Sequence, residues 1–368
     1  MDINNHTQQA GDNSQQMQAN NITIINNNGL TEEQVNERVK KVVNELIPVA
    51  IKEYTEEARE TANERIAKLE NYILPKISQV DGMIESFRDP AFQRVLVKAE
   101  QEAAVSERNA DYELLTELLV CHVQKGTERK NRVGIEKAIE IVDRIDNDAL
   151  CGLTMVHAIN HLDPSTGNVQ EGLIVLNDAF RRLEYEKLPK DDEWIEHLEM
   201  LGAIRVTNEN KFKKIIEFYS QRVEGYVCVG IRKDSEDYKK ALKMLQGTEL
   251  DSVHFLVKNE LLNDYMRLNI SDPNIIPELA VRSATGYRKV TENERKVLEQ
   301  IWEMYEKNIQ LQKVAEESFL KMWDSYDALK ELRKWWDAIP TCFCLTKIGR
   351  ILAHTNAKRC LPYVPDMI

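Results

Sequence analysis

Apolar residues recur every three or four positions through most of the chain, which is the spacing of one face of an α-helix. Between residues 89 and 190 this spacing predicts a succession of short helices. The first begins at Asp89-Pro90, with Asp at the N-cap and Pro at the first helical position. The pattern therefore predicts a mostly α fold with a helical body over residues 87–190. Its apolar positions include Phe92, Val95, Leu96, Ala99, Leu114, Leu115, Leu118, Leu119, Ile135, Ile139, Val142, Ile145, Leu173, Leu176 and Phe180.

A narrower apolar stripe between charged flanks predicts a long helix, or stalk, over residues 30–86. It opens at Thr31-Glu32-Glu33-Gln34, which has the form of a capping box. Pro48 is expected to kink or end the helix, and Pro75 to break it again, because proline has no N–H. The helix is suited to a stalk or to pairing with a partner helix.

The segment from 191 to 368 predicts an α+β region. Residues 193–231 alternate helix and strand patterns, with strand candidates at 203–206 and 226–231, which is compatible with a small winged-helix-like unit. One long helix is predicted over 292–336, opening at the capping box Thr291–Glu294. After Pro340, residues 341–345 alternate as a strand does, and a final helix follows.

The first 29 residues are rich in Asn and Gln and contain no Lys or Arg. Residues 20–26 form a short strand candidate, and copies of such a strand could stack their amide side chains in ladders. A disordered polar tail is the alternative that this composition leaves open. If the segment assembles, the strand and the adjoining helix would self-associate through Ile22, Ile24, Ile25, Val35, Val39, Val42 and Leu46.

Charge and composition narrow the classes of partner. The formal net charge of −12 repels nucleic acid and anionic lipid, so neither is the expected partner. The first thirty residues lack the pattern of a secretory signal, and no apolar window reaches about eighteen residues, so we expect a cytoplasmic protein without a membrane span. The six cysteines are scattered, which favours buried free thiols.

The candidates for site chemistry are few. His157 and His161 are one helical turn apart, but the segment lacks the Glu of a zinc protease, so ordinary histidines are favoured. Cys342 and Cys344, with Cys360 and His354, would make only a weak four-ligand site, because a second close pair is missing. No phosphate-binding loop, dinucleotide fingerprint or nucleophile elbow occurs. We expect no catalytic residue, no cofactor and no metal.

The predicted last helix is locally basic. A Leu-Thr-x-x-Gly sequence precedes it, as at the end of many winged-helix domains, so nucleic-acid contact is one hypothesis for its cations. The other is that its apolar side, with Ile348, Ile351 and Leu352, docks on the body and the cations are solvated. The cations are Lys347, Arg350, Lys358 and Arg359.

Three blocks of the sequence resemble an uncharacterised bacterial family known mainly by locus-tag names. They are the polar tag at residues 9–19, residues 345–357, and the block from Arg88-Asp89-Pro90-Ala91-Phe92-Gln93 to Leu118-Leu119-Val120 with the basic stretch near Lys125. The resemblance implies no activity. The tag also resembles Asn/Gln-rich repeats of some bacterial immune proteins, where such tags are thought to act in self-assembly.

Together these features favour a non-enzymatic interaction protein that forms homo-oligomers and contacts another protein. Its setting would be bacterial anti-phage defence or stress response. The alternatives are a nucleic-acid-binding regulator that uses the C-terminal region, and an enzyme whose site is not visible in the sequence.

Overall fold

The computed structural model describes residues 47–164, 166–207, 211–283 and 286–364, with side chains from residue 55 onward except that of Ser283. The chain divides into two units, residues 1–60 and residues 61–368. The predictions for the strand at 20–26, for the helix start at Thr31 and for Ile22, Ile24, Ile25, Val35, Val39, Val42 and Leu46 lie outside the described residues, so they stay predictions.

The described chain is mostly helical, which confirms the predicted fold class. The first half contains α1 (Ile47–Gln79), α2 (Met83–Ser86), α3 (Pro90–Val105), α4 (Asn109–Lys125), α5 (Arg129–Ile139), α6 (Asn147–His161) and α7 (Val169–Leu183). The second half contains α8 (Glu193–Met200), α9 (Ile215–Arg222), α10 (Glu236–Gln246), α11 (Ser252–Phe255), the 3₁₀ helix Pro273–Glu278, α12 (Glu292–Glu303), α13 (Ile309–Trp323), α14 (Asp327–Ala338) and α15 (Lys347–Cys360). Over the described ranges, no helix is both long and apolar enough to cross a bilayer.

Short strands form three small antiparallel sheets. The strands are β1 (Ile204–Val206), β2 (Ile231–Arg232), β3 (Leu256–Lys258), β4 (Tyr265–Leu268), β5 (Ala280–Ser283), β6 (Gly286–Lys289) and β7 (Phe343–Leu345). β1 pairs with β7, β4 lies between β2 and β3, and β5 pairs with β6. The predicted strands at 203–206 and 341–345 are therefore confirmed, and they pair with each other.

The segment 193–231 does not form one small winged-helix-like unit. Its helix–strand–helix–strand order is present, but β1 pairs with β7 and β2 pairs with β4, so the two strands belong to different sheets. Residues 226–230 are buried without being a strand, and only Ile231–Arg232 pairs. The apolar pattern in the sequence identifies a buried segment, but it does not identify the strand with which that segment pairs.

Two hydrophobic cores lie within residues 61–368. The larger core runs in sequence from Leu69 to Val364 and includes side chains of α3 to α9 and α13 to α15. The smaller core contains buried residues between Cys228 and Tyr305, from β2, α10 and α12 among other elements. The last helix thus belongs to the same core as the predicted body at 87–190.

The expectation that Pro75 breaks the long helix is wrong. α1 continues through Pro75 to Gln79. Leu69 and Ile73 are buried on one face, and Ile77 packs against the same core one turn later. Pro75 removes one backbone hydrogen bond, but apolar contacts on both sides of it stabilise the helical path.

The single helix predicted over 292–336 is three helices, α12, α13 and α14. Asn308 starts α13 by accepting hydrogen bonds from the backbone N–H groups of Gln310 and Leu311. Leu298 and Ile301 of α12 pack in the smaller core, whereas α13 and α14 pack in the larger one. The apolar spacing is the same whichever core a helix packs in. The sequence pattern therefore gave no sign of the breaks between the three helices.

Candidate ligand-binding cavity

The last helix, α15, is buried against the centre of the helical body. It contacts α4, α5 and α6, and residues 351–357 are all buried. At its start, the Thr346 side chain caps the helix by accepting from the Gly349 N–H at 3.2 Å. A Cβ on Gly349 would lie 2.0 Å from the Ala203 carbonyl oxygen, so only glycine permits this approach. The predicted docking of the apolar side of the last helix is confirmed.

A cavity of about 650 Å³ opens between α4, α5, α6 and α15. Its size is within the usual range of small-molecule sites, about 300–1,000 Å³. The apolar lining residues are Ile135, Ala158, Leu162, Ile351, Ala357 and Val364. The other lining residues are Cys121, Lys125, Asn131, His157, His161, Lys347, Arg350 and His354.

The cavity lining is cationic. Among the described residues, no Asp or Glu lines it, whereas Lys125, Lys347 and Arg350 do. The Lys347 Nζ donates to the neutral Asn131 Oδ1 at 2.7 Å. The half-buried Lys125 and the exposed Arg350 form no ion pair and no side-chain hydrogen bond with any residue of the described ranges. Three cations from two helices therefore lie around one cavity, and none of the carboxylates that the structure describes is in its lining.

Three histidines line the same cavity. The predicted pair His157 and His161 stacks ring against ring, with centroids 4.1 Å apart, and the His161 Nδ1–H donates to the His157 carbonyl at 2.8 Å. The His157 Nε2 lies 3.3 Å from the Nδ1 of His354 on α15. Sequence spacing indicated the first pair, but nothing in the sequence indicated the contact with His354.

The chemistry of His157 is that of a neutral imidazole. Burial, with smaller contributions from the nearby His161, His354 and Arg350, lowers the pKa of His157 to about 3. Within the described part of the chain, the buried Nδ1 of His157 has no hydrogen-bond partner. His157 therefore adds no positive charge to the cavity at neutral pH.

The cysteine candidates do not come together. Cys342 is buried, Cys344 is exposed on β7, and Cys360 is half-buried near the end of α15. All six cysteines lie in the described chain, and none of them forms a disulfide. No group of three or more His, Cys, Asp or Glu side chains is placed to hold a metal ion among the residues that could be searched, which are the described ones.

The four cations of the last helix do not share one surface. Lys347 and Arg350 line the cavity, and Lys358 lines a small neighbouring recess. Arg359 is instead paired with Glu113 at 3.1 Å, and its guanidinium lies 4.9 Å from the ring centre of Tyr185. Nucleic-acid contact through these residues stays a prediction. The sequence interpretation assigned no site role to the cavity-lining residues Lys125 and Asn131.

Comparison with known proteins supplies a family for this chain. One family model matches residues 29–367, which is most of the chain. The chain belongs to this uncharacterised family. Its membership agrees with the resemblance seen in the sequence, while the likeness of the N-terminal tag to immune-protein repeats stays a prediction. No curated protein and no solved structure matches the chain.

Proposed function

We propose that this chain is a non-enzymatic interaction protein whose helical body binds a small anionic ligand and whose N-terminal region associates with other copies. The observation that carries the first part is the trio of Lys125, Lys347 and Arg350 around one cavity that no described Asp or Glu lines. Like charges gathered beside apolar walls repel one another, and a bound anion removes that repulsion.

Within the described ranges, cations on the neighbouring helices α3 and α5 form ion pairs, unlike those of the cavity. Arg94 and Lys98 of α3 pair with Glu136 and Glu140 of α5, and Lys137 also pairs with Glu140. Carboxylates outnumber Lys and Arg in this chain, 61 to 49. In such a sequence, a cavity whose cations form no ion pair with any described residue favours an anion from outside as their partner.

Charge removal at the cavity is expected to abolish anion-dependent stabilisation. In the variant Lys347→Gln with Arg350→Gln, pyrophosphate or citrate should no longer raise the unfolding midpoint, because a ligand stabilises only the state that binds it. Without anion at low ionic strength, this variant should be at least as stable as the wild type, since repulsion is relieved. Thermal unfolding at constant ionic strength measures both effects.

The matched control is Lys313→Gln with Arg181→Gln, which removes the same charge from exposed positions. It should keep the wild-type response to pyrophosphate and citrate. Equal stabilisation of the cavity variant and the wild type by these anions would refute anion binding in the cavity.

Self-association is the second part of the proposal. It rests on the Asn/Gln-rich composition of residues 1–29, on the Ile22 and Ile24 strand pattern, and on the resemblance to self-assembling tags. The side chains of residues 55–61 on α1 are all exposed, so this part of the helix is accessible for pairing. The setting that we propose is bacterial anti-phage defence or stress response.

A chain shortened to begin at Leu30 is expected to have a lower mass in solution than the full-length protein. The change Ile22→Asp with Ile24→Asp should act in the same way, because each copy would carry two charges into the stacked strands. Light scattering at micromolar concentration measures the mass. Asp at the exposed Ile84 and Ile309 is the matched control and should leave the mass unchanged. An unchanged mass of the shortened chain would place assembly elsewhere, and a monomeric full-length protein would remove this part of the proposal.

A further inference from the structure

The charge of the cavity bears on the class of anion. Lys125, Lys347 and Arg350 line it, and no carboxylate does among the residues that the structure describes. A monocarboxylate ligand would bring one negative charge to three cations. A phosphate monoester brings about 1.5 to 2 negative charges at neutral pH and three acceptor oxygens, so it compensates the lining better.

The placement of two of these cations is unusual for helix stability. Lys347 is the first residue of α15 and Arg350 lies one turn later, and the first turn contains no acidic residue. The positive end of the helix dipole lies there, so acids stabilise this position and cations do not. Two cations at a helix N-terminus that borders a cavity add to the dipole, and an anion in the cavity gains from both.

The donor groups also fit phosphate. The Arg350 guanidinium has five N–H donors in a planar fork, which matches two phosphate oxygens at once. The Lys347 ammonium is held in position by Asn131, and two of its three hydrogens remain for another acceptor. On the rim, His161 is fixed through its Nδ1 to the His157 carbonyl, so its Nε2 edge is left for a ligand.

Six apolar residues also line the cavity. Ile135, Leu162, Ile351 and Val364 are among them. An inorganic anion would fill only a small part of a cavity of about 650 Å³ and would leave these walls without contacts. A ligand that contacts both the cations and the apolar walls has a phosphate group at one end and an apolar or aromatic body.

Resting on the proposed anion-binding function, we infer that the ligand is a phosphate monoester of a small molecule with an apolar or aromatic body. The phosphate lies against Lys347 and Arg350, and Lys125 contributes a third positive charge. The apolar body packs on the apolar lining residues. The cavity binds the ester and performs no chemistry on it.

Calorimetric titration of the full chain with phenyl phosphate, inorganic phosphate and benzoate tests this inference. Phenyl phosphate should bind about tenfold more tightly than either of the other probes, because only it has both the dianionic head and the apolar body. Arg350→Lys keeps the charge but loses the fork, and it should weaken phenyl phosphate binding about tenfold. Arg181→Gln should leave the affinity unchanged.

The outcomes separate this inference from the proposed function. Benzoate binding as tightly as phenyl phosphate would overturn the phosphate class while anion binding stands. Inorganic phosphate binding as tightly as the ester would overturn the apolar body. If none of the three probes binds at roughly 10 mM while pyrophosphate or citrate still stabilises the wild type, the ester inference fails alone. If those anions also have no effect, both proposals fail.

Discussion

Replacing Arg267 with Met is expected to lower the free energy of unfolding by about 3–5 kcal/mol, because it breaks an ion pair whose arginine is completely buried. Arg267 is completely buried, and its guanidinium holds Glu260 through two bonds of 2.8 and 2.9 Å. It also donates to the backbone carbonyls of Leu268 and Gly167, at 2.9 and 2.8 Å. Methionine fills much of the volume but leaves these acceptors unpaired.

The position of Arg267 explains why the loss should be global. It lies on β4, where the next residue, Leu268, packs in the smaller core, whereas Gly167 lies two residues before the start of α7, which packs in the larger core. The guanidinium therefore joins the two cores through hydrogen bonds. Its removal should loosen the region around Cys228–Tyr305 as well as lower the overall stability.

Urea unfolding followed by circular dichroism measures the effect. The matched control is Arg295→Met, which breaks a partly exposed pair with Glu299 and should change stability by less than about 1 kcal/mol. If Arg267→Met unfolds at the same urea concentration as Arg295→Met, the buried pair does not have the structural role assigned to it.

Gly349→Ala is expected to destabilise the fold by about 1–3 kcal/mol or more, since a methyl group is forced into closely packed backbone. The new Cβ would lie 2.0 Å from the Ala203 carbonyl oxygen, which belongs to the main chain and cannot rotate away. Separation of the two segments would break the hydrogen bond from the Thr346 N–H to Ala203, now 2.9 Å. The first turn of α15, with Lys347 and Arg350, would move with it.

Two measurements check this prediction. The urea midpoint should fall, and stabilisation by pyrophosphate should weaken because the cavity cations are displaced. Gly247→Ala, at the end of α10, is the control: its Cβ would meet only backbone oxygens at 3.4 and 3.8 Å, which are ordinary contacts. Indistinguishable behaviour of the two variants would show that α15 tolerates displacement from Ala203.

Local interactions made several helix starts predictable. Asp89 caps α3 by accepting from the Ala91 N–H at 2.9 Å, and Thr291 and Glu294 form the predicted capping box of α12. These bonds join residues two or three positions apart, so the residue types alone specify them. The mostly α fold class follows in the same way, because the helical repeat of apolar positions is a local property.

The sequence did not show in which core each helix packs, because this depends on contacts between distant segments of the chain. The pattern from 292 to 336 reads as one helix, yet α12 faces a different core from α13 and α14. Pro75 reads as a break, yet core contacts at Ile73 and Ile77 keep α1 helical beyond it. At Pro75, non-local apolar contacts outweighed the tendency of proline to end a helix. Between 292 and 336, the apolar pattern did not reveal that the helices contact different cores.

The candidate site shows most clearly which features were local properties of the sequence and which depended on tertiary packing. The sequence by itself determined that α15 is a capped, basic helix with an apolar side, and that His157 and His161 lie one turn apart. Only the tertiary structure brought Lys347 to Asn131, 216 residues away, and His354 to His157, 197 residues away. Helical periodicity carries information over a few turns, whereas the cavity arises where α4, α5 and α6 pack around α15. The cations that give it its charge share one site because of that packing.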